Sequence, residues 1–120
     1  MAEVYVAGVG MTKFGKSPQA LTELFCEAAQ RALDFAKKKV AEGDYDLLIL
    51  DEVNNAVELG LLEVEEVLEF LKERSPKLSV ILTGRDAPAE FIALADLVSE
   101  VKDVKHPFDK GISAKKGSEF

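Results

Sequence analysis

Tyr45-Asp46-Leu47-Leu48-Ile49-Leu50-Asp51-Glu52 is the stretch whose reading decides the fold. An unbroken aliphatic run enters an acidic pair. A run this short, with no alternation of apolar and polar residues, predicts a parallel strand covered on both faces. A carboxylate pair at the end of such a strand has the Walker B form, which sets an acidic group beside the Mg²⁺ that bridges nucleotide phosphates. A solvated strand end or a helix N-cap accounts for the same two residues.

Downstream, Val53 to Gly60 has room for a short helix. Glu63 to Glu73 predicts a clearer one, with Val64, Val67, Leu68 and Leu71 on its inner face and Ser75-Pro76 ending it. Glu63, Glu65, Glu66, Glu69 and Glu73 form its wet face. Leu78 to Leu82 predicts a further strand, followed by Thr83-Gly84-Arg85. Ala87 to Ala95 predicts a short helix, and Leu97 to Val101 another strand. From Lys105 onward the periodicity ends, and an extended tail is expected over 105–120.

Upstream, Glu3 to Val9 predicts a buried strand that runs into the glycines at 8 and 10. Ser17-Pro18 has the form of a helix start. Leu21, Leu24, Phe25, Ala28, Ala32, Leu33, Phe35, Ala36 and Val40 then make one apolar stripe on a long helix. Lys37, Lys38 and Lys39 suit its C-terminal end, and Gly43 its C′ position.

The order strand–helix–strand–helices–strand–helix–strand predicts one small α/β domain over 1–120. Its three layers are a mostly parallel sheet of about four strands with helices on both faces. Ligands of such sheets bind beyond the carboxyl ends of the strands. The polar residues at 8–16, 51–52, 83–85 and 102–108 therefore converge on one edge.

Gly10-Met11-Thr12-Lys13-Phe14-Gly15-Lys16-Ser17 matches the phosphate-loop pattern G-x-x-x-x-G-K-[ST], between a strand and a helix. There Lys16 would reach phosphate and Ser17 would hold Mg²⁺. Two features oppose this. Pro18 lacks the backbone N–H that would serve phosphate next, and Phe14 places a bulky ring inside the loop. A plain strand-to-helix loop with a capped helix explains the same residues. Arg85 could grip phosphate with its planar fork, or could be a surface ion-pairing group. Cys26 reads as a packed helix residue. His106 has no paired Cys, His or nearby carboxylate at ligand spacing, so no metal site is expected there.

The totals narrow the classes. The chain has 120 residues, 48% hydrophobic and 31% charged, which describes a globular domain. A net charge of −7 argues against nucleic-acid binding, which needs a basic surface. No apolar run approaches the roughly 20 residues of a membrane span. With Cys26 the lone cysteine and no signal-like start, a cytoplasmic setting is expected.

Taken together, Asp44 to Phe120 resembles the P-loop corrinoid adenosyltransferases. The carrying segments are Tyr45 to Asn54, Val64-Glu65-Glu66-Val67, Leu82-Thr83-Gly84-Arg85-Asp86-Ala87-Pro88, Ala95-Asp96-Leu97-Val98, Val104 to Ile112, and Lys116-Gly117-Ser118-Glu119-Phe120. The likeness begins near Lys37. It implies transfer of the 5′-deoxyadenosyl group of ATP to a reduced corrinoid, with Mg-ATP and corrinoid as ligands, in a homodimer. Carried over by position, Glu52 corresponds to the Mg²⁺-linked acid and Arg85 to an arginine on the ATP phosphates. The N-terminal 1–33 instead resembles the opening strand and helix of thiolase-type acyltransferases, through Val4 to Lys16 and Leu21-Thr22-Glu23-Leu24-Phe25. That likeness implies a mosaic joined between Leu33 and Val40, with no thiolase chemistry, because no nucleophile matches. Three functions follow as expectations: a domain with little or no catalysis, an active transferase using Gly10 to Ser17, or a module that assembles through open sheet edges.

Overall fold

The computed structural model describes residues 20–43 and 45–111. The expected strand at Glu3 to Val9, the Ser17-Pro18 helix start, and the last residues of the tail lie outside them.

Helix α1 (Leu21–Glu42) opens the described chain. Strand β1 (Leu47–Leu50) follows, then α2 (Val53–Glu58), α3 (Val64–Glu73), strand β2 (Ser79–Leu82), α4 (Ala89–Leu94) and a single 3₁₀ turn (Pro107–Lys110). β1 and β2 pair in parallel, Leu47 opposite Ser79 and Leu50 opposite Leu82. Parallel pairing needs a crossover, and α2 with α3 supplies it.

The helices lie against one face of this pair. Leu33 of α1, Val53 and Val57 of α2, Val67, Phe70 and Leu71 of α3, and Phe91 of α4 form one buried cluster, on which Leu48, Leu50, Val80 and Leu82 pack. Val67 is fully enclosed. The 3.6-residue period of α3 explains this: Val64, Val67, Phe70 and Leu71 share one side, and Glu65, Glu69 and Glu73 face water.

The other face of the pair is bare among the described residues. Leu47, Ile49 and Ile81 are 49%, 54% and 46% exposed. Among the described residues, the expectation of strands covered on both faces, with helices on both sides, is met on one face only. An unbroken aliphatic run satisfies either arrangement, because a strand's side chains alternate whatever their type.

The expected strand at Leu97 to Val101 is also corrected. The segment has no strand pairing, and Leu97 and Val101 are 82% and 94% exposed. Ser99 and Glu100 interrupt its apolar residues, and a strand without a partner has nothing to bond its backbone. The described sheet therefore has two strands where about four were expected.

Two details of α1 differ as well. Phe25 and Phe35, both placed on the apolar stripe, are exposed. The Phe35 ring instead carries the Lys39 ammonium 5.6 Å from its centre. Gly43 ends the helix in an extended conformation, not the left-handed one of a C′ glycine, with its N–H on the Lys39 carbonyl at 3.1 Å.

α1 is tied to α3 through Glu66. Its Oε1 accepts from Lys37 Nζ at 2.5 Å and from Gln30 Nε2 at 2.8 Å. The Lys37 hydrogen bond is the largest cause holding the Glu66 carboxyl below its ordinary 4.5; partial burial opposes it, and Gln30 assists. A lowered folded value means the stabilisation is complete above the unfolded value and fades as pH falls through the folded one. Both partners are about one-third exposed, so solvent screening keeps the contribution to roughly 0.2–1 kcal/mol. Glu66→Gln is expected to lose that amount in urea unfolding at pH 7, and a smaller amount at pH 3. Equal losses at both pH values would contradict the ion-pair origin.

Candidate functional site

The parallel register builds the site. Leu50 opposite Leu82 is the last ladder pair, so Asp51 and Thr83 emerge side by side at the carboxyl ends of the strands. The Thr83 hydroxyl donates to Asp51 Oδ1 at 2.6 Å and accepts the Glu52 N–H at 2.9 Å. The Thr83 N–H continues the ladder to the Leu50 carbonyl at 3.2 Å.

Glu52 is the turning point. It sits in the left-handed region at φ 59° and N-caps α2 with its backbone, without a side-chain cap bond. A non-glycine residue there costs free energy and persists where neighbours fix it. Its two backbone bonds do so, N–H to Thr83 and carbonyl to the Ala56 N–H at 3.1 Å. The chain reverses at Glu52, and both acidic side chains stay exposed at the strand end.

The loop after β2 is held from α2. Asn54 N–H donates to the Thr83 carbonyl at 3.2 Å, and Asn54 Nδ2 to the Gly84 carbonyl at 3.4 Å. Asn55 Oδ1 accepts the Arg85 N–H at 2.8 Å. Gly84 has φ 124°, and an added Cβ would collide with Asn55 Oδ1 and approach Asn54 Cβ at 3.0 Å. Only glycine meets both demands. Arg85 is therefore carried on a tightly determined turn, with its side chain in solvent.

The fold thus brings Glu52 and Arg85 to adjacent strand ends. Lys16 and Ser17 lie outside the described residues. Sequence reasoning missed the Thr83 bridge to Asp51 and the roles of Asn54 and Asn55. The signal that could have found Thr83 is its place one residue past the second aliphatic run, as Asp51 is past the first. Cys26 is half-buried on α1. A groove lined by Lys37, Glu66, Glu69, Phe70, Glu73 and Arg74 shares no residue with this site.

Among the described residues no three His, Cys, Asp or Glu side chains gather as ligands. The Asp51-Glu52 pair still suits Mg²⁺, which binds through one or two carboxylates plus substrate phosphates and keeps several waters. Among them too, no helix is long and apolar enough to cross a membrane.

The family described as ATP:corrinoid adenosyltransferase BtuR/CobO/CobP matches residues 2–120. This chain belongs to the ATP:corrinoid adenosyltransferase family. It is 42% identical over 93 residues to a corrinoid adenosyltransferase of Sinorhizobium sp, covering 77% of this chain and 44% of that protein. It is 38% identical over 93 residues to that of Escherichia coli, covering 78% and 47%. The enzyme of Pseudomonas aeruginosa is 41% identical over 92 residues, covering 77% and 45%. The chain thus spans less than half the length of these adenosyltransferases. The match from residue 2 runs across the thiolase-like opening, and that likeness gains no support from the comparisons.

Gly84→Ala is expected to destabilise the domain by about 1–3 kcal/mol, from the positive φ and the displaced Asn55 side chain. Urea unfolding measures this. A loss under about 0.5 kcal/mol, the usual range for a surface change, would contradict the tight turn.

Proposed function

We propose that this chain binds the polyphosphate of Mg-ATP at the carboxyl ends of β1 and β2, and that its 120 residues alone transfer little or no adenosyl group to a corrinoid. The observation that supports the binding is the Thr83 bridge. It ties Asp51 and Glu52 to the end of β2, where Asn54 and Asn55 hold the turn that carries Arg85. Family membership supports ATP and a corrinoid as the substrates.

In this reading Asp51 and Glu52 hold Mg²⁺, which neutralises charge on the phosphate oxygens. Arg85 supplies a guanidinium whose paired N–H groups match two phosphate oxygens. Thr83 keeps Asp51 oriented. It leaves the Asp51 carboxylate's other oxygen as the natural metal-facing one.

The low transfer rate rests on how much of a site these residues supply. Aligned donors for the whole triphosphate are what usually lower the barrier in such reactions. Asp51, Glu52 and Arg85 line one side of the polyphosphate.

A second reading has one observation in its favour: the family match runs through Gly10 to Ser17. There Lys16 and Ser17 complete the phosphate site and the chain is an active transferase. Assembly as a homodimer remains a further proposal, since β1 and β2 each keep an unpaired edge among the described residues. The finer reading of 1–33 as a thiolase-like unit rests on Val4 to Lys16 and Leu21 to Phe25 alone.

Calorimetry with Mg-ATP is expected to show saturable binding that weakens at least about tenfold in Arg85→Ala, the scale of one charge-assisted bond. Adenosylcobalamin formation from ATP and reduced cobalamin should stay near background. No saturable heat would remove the binding reading. Robust turnover that Lys16→Ala abolishes would establish the second reading in its place.

A further inference from the structure

The two asparagines that open α2 carry no charge, and their side chains do not face solvent as a helix surface would. Asn54 is 6% exposed and Asn55 half-buried. Residues 54 and 55 make three bonds to residues 83, 84 and 85 in the same order. This stitches the loop after β2 to the start of α2. The loop holds one residue in a conformation its side chain disfavours: Asp86, at φ 51°. Conformations of that kind last where surrounding bonds over-determine them.

The bond from the Arg85 N–H to Asn55 Oδ1, at 2.8 Å, is the one that acts on Arg85 itself. It fixes the backbone from which the guanidinium extends. We infer that Asn55 is a positioning residue for Arg85, and that it must be a neutral acceptor because the site receives an anion. This rests on the polyphosphate role proposed above for Arg85. An aspartate has the same shape and would accept the same N–H. It would also place a negative charge beside incoming phosphate, and like charges at short range repel strongly. A side chain with a purely structural role would tolerate aspartate in both respects.

The test uses the full ¹⁵N-labelled chain as wild type, Asn55→Ala, Asn55→Asp and Arg85→Ala. Two quantities are read: solvent exchange of the Arg85 amide, and affinity for inorganic tripolyphosphate with Mg²⁺ at low and high salt. Loss of one hydrogen bond should speed Arg85 amide exchange about tenfold in Asn55→Ala. Asn55→Asp should keep the wild-type exchange rate. Tripolyphosphate affinity should fall in Asn55→Ala at both salt levels. In Asn55→Asp it should fall at low salt and recover at high salt, where the added charge is screened. Should Asn55→Ala fail to fold, Asn55→Ser, too short to reach the Arg85 amide, replaces it. Equal amide exchange in all Asn55 variants overturns the inference. So does unchanged tripolyphosphate affinity in Asn55→Ala where Arg85→Ala loses it. Wild type and Arg85→Ala binding tripolyphosphate alike would sink the role of Arg85 instead, and the amide comparison would still decide what Asn55 holds.

Discussion

The hydroxyl of Thr83 is used twice, once as donor to Asp51 and once as acceptor from the Glu52 N–H. The acidic half of the site depends on it. Two parallel strands are joined by their ladder only as far as Leu50 and Leu82. Beyond that pair the chains would diverge, one into a helix and one into a loop. Thr83 extends the join by one residue using a side chain. It holds Glu52 in a left-handed turn and gives the Asp51 carboxylate a fixed partner. Asn54 and Asn55 then fasten the loop that carries Arg85 to the same place.

The energetic setting explains why this region can be polar and strained. The core lies against one face of the ladder, with Val67, Phe70 and Leu71 packed among residues of α1, α2 and α4. Burial of such apolar side chains contributes roughly 1.5–3 kcal/mol each. A backbone turn costing about 1–3 kcal/mol at Glu52 is tolerable against that background. The bare face of the strand pair is a different matter. Leu47, Ile49 and Ile81 lie in water there, an arrangement usually seen where something further is meant to pack.

Much of this was legible in the sequence, and the misses have a common cause. The order of elements from α1 to α4 follows from local signals: period 3.6 in α3, an unbroken aliphatic run in β1, and Pro76 between α3 and β2. The acidic strand end and the arginine after β2 were legible for the same reason. Whether β1 is covered on one face or two was not, because Leu47-Leu48-Ile49-Leu50 is equally apolar on both sides. Leu97 to Val101 has strand-like residues but no partner, and pairing is a long-range property. The Thr83–Asp51 and Asn55–Arg85 bonds join residues 32 and 30 apart. They exist because of the register, which no local pattern reveals.

A double-mutant cycle between Asp51→Ala and Thr83→Val, read by urea unfolding, tests this account most directly. Contacting groups in one network typically couple by about 0.5–3 kcal/mol, and a value within that range is the result expected here. Additive losses within about 0.3 kcal/mol would mean that Thr83 does not join the two strand ends, and the assembled site would have no basis.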